Sequence, residues 1–204
     1  MYGEQEEADL DGELVQRSQN GDEEAFSQLV ERYRSRVASI AYQVLGNYED
    51  ARDVAQEVFI KLYRGIGTFD PQKKFFTWLY RLTVNAAIDY LRVKKRRAME
   101  GSLEDLPEGY PDFAGPEGEL ASHQLENKEL RQIFVDLAQR LNPKQRAAFV
   151  LVDLQGFTPD EVSEILQCPK VTLRWYLHEG RKKIRIMLAR EHPEYWRKGR
   201  RKEL

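Results

Sequence analysis

The chain has 204 residues, of which 32% are charged, 41% are hydrophobic and one is cysteine. No run approaches the ~20 apolar residues of a membrane-spanning helix; the first two dozen residues are too polar and acidic for a secretory signal; and Cys168 alone makes neither an internal disulfide nor a Cys-rich metal site. The aromatic and apolar share is too high for a disordered chain, so a soluble, cytoplasmic protein of one or two small domains is expected.

The net charge of −2 conceals a strong partition. Residues 1–24 hold nine acids and one base, Arg17. Residues 73–97 hold eight bases and one acid, Asp89. Residues 98–130 return to nine acids and one base, Lys128, and residues 170–204 hold twelve bases and four acids. Salt screens fields within ~8–10 Å, so these blocks matter more than their sum. Basic blocks are the electrostatic footprint of nucleic-acid binding. A solvated helix face and a charged tail carry the same signature.

Helical periodicity runs through nearly the whole chain. Gly21-Asp22 offers a start, then Phe26, Leu29, Val30, Tyr33, Val37, Ile40 and Val44 recur at three and four residues until Gly46. A second helix is expected over Asn47–Gly65, with Ala51, Val54, Val58 and Leu62 on its apolar face. Gly65, Gly67, Asp70 and Pro71 break the pattern. An apolar helix follows from Phe75 to Leu91 and runs into Lys94-Lys95-Arg96-Arg97.

Residues 98–120 carry Gly101, Pro107, Gly109, Pro111, Gly115, Pro116 and Gly118 among many acids. That composition predicts a flexible, self-repelling linker. Beyond it, Leu130, Phe134, Leu137 and Leu141 have helical spacing. Asn142-Pro143-Lys144-Gln145 and Thr158-Pro159-Asp160-Glu161 both match a capping box with proline at the first helical position. The apolar run 147–154 ends at Gly156. After Cys168-Pro169-Lys170 a final helix carries most of the C-terminal positive charge.

The expected fold class is therefore all-α. Two small helical domains are joined by a flexible acidic linker, and the C-terminal one contains a helix-turn-helix: a short capped helix, a tight turn, a longer basic helix. Val162, Ile165 and Leu166 pack the first helix on the second, whose core face is Leu173, Leu177, Ile184 and Leu188. Arg174, His178, Arg181, Lys182 and Arg185 are left to point outward, toward phosphates and base edges. A helical hairpin with a wet basic face has the same pattern.

At these residues the chain resembles the bacterial sigma factors, specifically their extracytoplasmic-function branch. Asn20-Gly21-Asp22 with Ala25-Phe26 and Leu29-Val30 is similar to the opening of region two. Asp50-Ala51-Arg52-Asp53-Val54-Ala55-Gln56-Glu57-Val58-Phe59 resembles the segment that grips the polymerase clamp. Phe76-Thr77-Trp78-Leu79-Tyr80-Arg81, then Asn85, Asp89 and Arg92, is similar to the promoter-melting segment, and the C-terminal domain resembles region four. The ordered set covers nearly all of 13–190. It implies an acidic N-terminal arm over 1–12, region two over 13–97, a linker over 98–126, region four over 127–190 and a basic tail over 191–204.

The resemblance also implies roles. Asp53, Gln56, Glu57 and Ile60 would bind the clamp coiled coil of the largest subunit of core RNA polymerase. From the residues alone, Asp53, Gln56, Ile60 and Arg64 share a helix face that suits either a partner helix or plain solvent. Phe76, Trp78, Tyr80, Arg81, Asn85, Arg92, Lys95 and Arg96 would bind and melt the minus-ten element. Trp78, Arg81, Asn85, Asp89, Arg92 and Arg96 lie on one narrow arc, as stacking on single-stranded DNA requires, although Trp78 and Tyr80 fit a core equally well. Loop 65–74 takes the place of a loop that captures a flipped base. Thr172, Arg174, Trp175, His178, Arg181 and Lys182 would bind the minus-thirty-five element. Here the chain departs from the family: Trp175-Tyr176 stands where Ser-Arg is usual, and Glu179 where Arg is common. Promoter DNA and an anti-sigma factor are the further implied partners, with no membrane insertion.

Catalysis is not expected. His123, His178 and His192 are scattered, no His/Cys/Asp cluster has metal spacing, and no glycine-rich phosphate loop appears. No cofactor is expected. The competing class is a dimeric helix-turn-helix regulator that never joins the polymerase, and a third is an adaptor that never touches DNA.

Overall fold

In the computed structural model the backbone is described for residues 2–99 and 121–195, and side chains for 10–97 and 128–195. Most of the expected linker, 98–126, and the tail residues 196–204 lie outside the described residues.

The first domain is built from α1 (Tyr2–Gln19), α2 (Glu23–Leu45), α3 (Tyr48–Gly65) and α4 (Phe75–Met99). Caps set the joints between them. Asp22 accepts a hydrogen bond from Ala25 N at 3.0 Å and so caps α2, with Glu23 and Glu24 in the first turn where the dipole favours acids. Gly46, at φ 73°, closes α2 by donating its N–H to Tyr42 O at 2.7 Å. Asn47 then caps α3 through Asp50 N. Two tight caps in succession fold α3 back onto α2.

The acidic N-terminal segment is more than an arm. α1 crosses the expected boundary at residue 13 and buries Asp11, Leu14, Val15 and Ser18 against the bundle. Tyr33 donates its hydroxyl to the Asp11 carboxylate, and Arg32 Nε approaches the same group at 3.1 Å. Burial, with Asp11 beside it, pushes the Tyr33 phenol far above its ordinary range. Sequence patterning missed this because a single carboxylate among nine acids carries no sign of being buried.

The second domain comprises α5 (Ala121–Ala138), α6 (Pro143–Phe149), α7 (Pro159–Ile165) and α8 (Lys170–Glu191). α5 starts inside the span expected to be linker. The Thr158 capping box is complete: Thr158 Oγ1 accepts from Glu161 N, and Glu161 Oε2 accepts from Thr158 N at 3.0 Å. The Asn142 box is only half formed. Asn142 Oδ1 accepts from Gln145 N, but the Gln145 side chain turns inward and accepts from Lys183 Nζ instead. The run 147–154 is not one helix either, because α6 gives way to a π-helical turn over Val150–Leu154 before Gly156, at φ 78°.

The domains are not held apart. One apolar core runs from Leu14 and Leu29 through Val58 and Leu79 to Ala147, Leu151, Val162 and Leu173. A smaller core of Ile133, Leu137, Leu141, Phe149 and Ile184 lies under α5 and α8. The second domain sits on the C-terminal end of α2 and on α4. There Gln139 Nε2 donates to Gln43 O at 3.1 Å, and Gln155 Nε2 donates to Gln43 Oε1 at 3.1 Å. Gly46 serves this seat as well, since a Cβ there would stand 2.5 Å from Gln139 Cδ. Phe157 stacks on Phe76 with centroids 6.3 Å apart and meets Tyr80 edge-on at 5.3 Å.

Candidate nucleic-acid interface

α3 is anchored along one side and open along the other. Its anchor is Asp50, whose carboxylate accepts from Tyr90 Oη at 2.5 Å and from Lys94 Nζ at 2.8 Å, fixing α3 against α4. Burial and Asp50 together push the Tyr90 phenol up to about 12. Asp53, Gln56, Glu57 and Ile60 are all exposed, so these four residues form one open stripe. Glu57 pairs with Lys61 at 2.7 Å within the helix. Ile60 is 45% exposed and Tyr63, one turn on, is 58% exposed. Tyr63 was not singled out in the sequence, yet its place three residues after Ile60 puts it on the same arc. Beside the stripe runs a groove of about 370 Å³ between α2 and α3, floored by Ala38, Ala51, Ala55 and Phe59 and rimmed by Arg34 and Arg52.

α4 separates its expected DNA residues. Tyr80 is fully buried, so it belongs to the core and not to a DNA-facing surface. Trp78 is half-buried and stacks on Phe69 at 4.8 Å, with its ring 3.3 Å from where a Gly65 Cβ would be. Its face is spent on closing loop 65–74, which Gln19 also pins by donating to Ile66 O and Phe69 O at 2.9 and 2.8 Å. Periodicity alone cannot tell a packed aromatic from a stacking one, and here packing prevails for both. Arg81 is half-buried. Asn85, Arg92, Lys95 and Arg96 are exposed, and Arg92 pairs with Asp89 at 2.9 Å. Asn85, Asp89 and Arg92 open into a cavity of about 190 Å³ whose far wall is Lys144, Leu166, Gln167, Cys168 and Tyr176. Phe76 is covered by Phe157. Phe76, Asn85, Asp89 and Arg92 thus face the other domain.

The turn between α7 and α8 is tight because Gln167 takes a left-handed φ of 48°. Ser163 Oγ donates to Cys168 O at 2.6 Å and Lys170 Nζ reaches Asp160 at 2.8 Å across the turn. Burial raises the Cys168 thiol, as suits a packing residue and not a reactive thiolate. α8 buries Leu173, Leu177, Gly180 and Ile184. Outside, Pro159, Asp160, Arg174, His178, Arg181, Lys182 and Arg185 line an open concavity of about 870 Å³. Arg174, His178, Arg181 and Lys182 are thereby brought together. Trp175 is exposed beside them and Thr172 is half-buried. Arg181 is not a free cation: Nε and Nη2 hold the Asp153 carboxylate in three bonds of 2.9 to 3.1 Å. Asp153 lies on the π-helical turn, which no sequence signal announced. Glu179 Oε1 stands 4.0 Å from His178 Nε2.

The two helical regions match known families in chain order. Residues 29–97 match Sigma-70 region 2, and residues 131–184 match Sigma-70 region 4. The ECF RNA polymerase sigma-E factor of Haemophilus influenzae is 36% identical over 85% of this chain and 93% of its own length. That of Escherichia coli K12 is 35% identical over 84% and 90%. The chain belongs to the extracytoplasmic-function sigma factors of the sigma-70 family.

The fold agrees. CnrH, solved in complex with the cytosolic domain of CnrY, superposes with a TM-score of 0.64 at 21% identity, covering 89% of this chain and 99% of that one. The sigma factor RpoE of Bartonella quintana, solved with the anti-sigma factor NepR, gives 0.63 at 18% identity, over 82% and 98%. Sigma factors are transcription initiation factors, not enzymes. Among the described residues of this sigma factor, no helix is long and apolar enough to cross a membrane.

Proposed function

We propose that this sigma factor docks on core RNA polymerase through Asp53, Gln56, Glu57 and Ile60, with Tyr63 extending the stripe. α8 then holds the minus-thirty-five element through Thr172, Arg174, Trp175, His178, Arg181 and Lys182. α4 works on the minus-ten element through Phe76, Arg81, Asn85, Arg92, Lys95 and Arg96. Tyr80 and Trp78 support that helix from within the fold.

The observation that carries this reading is the pairing of two unlike exposed faces on separate helices. A dimeric regulator of duplex DNA uses the basic concavity of α8 but has no use for an acid–amide–isoleucine stripe on α3. Run-off transcription with purified core enzyme on genomic fragments tests it directly. Stable duplex binding with no core association would replace it with the dimeric regulator.

Extruding a base costs a few kcal/mol. Phe76 supplies a stacking face for that base once the domains part, and Asn85 the hydrogen bonds, while Arg92, Lys95 and Arg96 follow the phosphates. Both relatives of the same fold were solved with partner proteins, CnrY and NepR. We propose that a cognate anti-sigma factor likewise holds this protein inactive in the cytoplasm.

Replacing both Asp53 and Gln56 with alanine is expected to weaken core binding about tenfold. Both side chains are exposed, so the melting curve should stay in place; unchanged affinity by fluorescence titration would remove α3 from the interface. The double variant Arg174→Ala/Lys182→Ala is expected to bind upstream duplex more weakly and with a shallower salt dependence. Each lost phosphate contact takes ~0.9 from the slope of log K against log salt. An unaltered slope would show that these cations do not touch phosphate.

A further inference from the structure

We infer that Val171 and Trp175 form an apolar ridge that reads thymine methyl groups in the upstream promoter element. The inference rests on the reading of α8 as the recognition helix. Val171 is 74% exposed and Trp175 54% exposed, one turn apart on α8. His178 and Lys182 continue the same stripe at seven and eleven residues from Val171. Neither apolar residue is needed for packing, because Leu173, Leu177 and Ile184 already make the buried face of the helix. The neighbouring aromatic behaves differently. Tyr176 turns into the cavity shared with Asn85, its ring centre 5.5 Å from that of Trp175.

The position of the ridge selects its ligand. The first two turns of a recognition helix are the ones that meet base edges. In the major groove, the thymine C5-methyl is the apolar group that bases present; the remaining features are donors and acceptors. Arg174, His178 and Lys182 surround the ridge. An apolar protein surface laid over it would have to desolvate those cations without repaying the cost, whereas DNA supplies a methyl for the ridge and phosphates for its rim.

The test uses the full chain bound to core enzyme. A duplex library randomised across the upstream element is selected for binding, and each thymine of the selected site is then replaced by deoxyuridine, which removes the methyl alone. The expected site holds thymine at one or two adjacent positions, and each replacement lowers affinity about fourfold, the worth of one buried carbon group. Trp175→Ala is expected to lose that same factor on the thymine duplex and to bind the thymine and uracil duplexes equally. Trp175→Phe is expected to keep the discrimination, which separates reading of the methyl from a general weakening. Equal affinity of the unaltered protein for thymine and uracil sites, or discrimination that survives Trp175→Ala, would overturn the inference and leave the ridge to a protein partner. Failure to select any upstream element would instead overturn the reading of α8, and this inference with it.

Discussion

Replacing Arg146 with alanine is expected to destabilise the folded chain by about 3 kcal/mol or more. Arg146 is only 7% exposed, yet no carboxylate is among its hydrogen-bond partners. Nε donates to Ala138 O at 3.1 Å. Nη1 donates to Val44 O at 2.7 Å and to Gln139 Oε1 at 2.8 Å. Nη2 donates to the Gln139 and Leu141 carbonyls. Val44 and Ala138 lie at the C-terminal ends of α2 and α5, and Gln139 and Leu141 in the turn that follows α5. The last carbonyls of a helix lack intrahelical donors and carry the negative end of its dipole. One guanidinium therefore satisfies two helix ends that meet inside the protein, and one of them belongs to the other domain. Burial pushes the guanidinium down to about 10, which still leaves it charged at neutral pH.

Alanine would strand the acceptors and leave a void. Lysine would not rescue it, because a single ammonium cannot span carbonyls that the planar fork reaches together. Chemical denaturation followed by circular dichroism measures the loss. A midpoint within error of the parent for both Arg146→Ala and Arg146→Lys would show that these bonds contribute nothing net.

Truncating Phe157 to alanine is expected to shift the balance between closed and parted domains about thirtyfold toward the parted state. Its half-buried ring lies on Phe76 and Tyr80, and losing it removes about 2 kcal/mol of apolar contact between the domains. Lys74 and Glu161, 3.9 Å apart across the same seam, add little because Lys74 is mostly exposed and Glu161 is already held by Thr158. Phe157→Leu keeps most of the apolar area and should stay closed. Energy transfer between dyes on α2 and α8 reports the separation, and stopped-flow mixing with core enzyme reports its consequence. Parting uncovers Phe76 and the Asn85 face of α4, so Phe157→Ala should also bind single-stranded minus-ten DNA more tightly than the parent. Unchanged transfer efficiency would mean that other contacts, Gln139 and Arg146 foremost, hold the domains together.

Much of this was legible in the chain. The start of α2 at Asp22, its stop at Gly46, the span of α3, the Thr158 box and the α7–α8 turn each follow from a few adjacent residues. So does the exposure of Asp53, Gln56, Glu57 and Ile60, which is the complement of the Val54, Val58 and Leu62 face. What was not legible depends on distant partners. Tyr80 and Trp78 share a helix with Asn85 and Arg92, and nothing in their spacing says that Phe157 and Phe69 will meet them. Arg181 reads as a free cation until Asp153, 28 residues away, grips it. Arg146, next to Lys144 and Gln145 in the first turn of α6, reads as a solvated cation until two helix ends converge on it.

The sequence by itself determined α2, α3, α4, α7 and α8 and the stripes each one presents, because these depend on hydrogen bonds and side-chain spacing within three or four residues; it did not announce α1, the early start of α5 or the π-helical turn. It also determined the partition of charge into two basic and two acidic blocks. Only the tertiary structure decided which stripes stay open. The composition of residues 98–120 predicts a spacer between independent domains, yet the domains share one apolar core. The physical reason is that apolar contact is non-directional and gains free energy wherever complementary faces meet, so the seat of one domain on another is set by shape and by orphaned helix-end carbonyls, which leave no periodic mark in the chain.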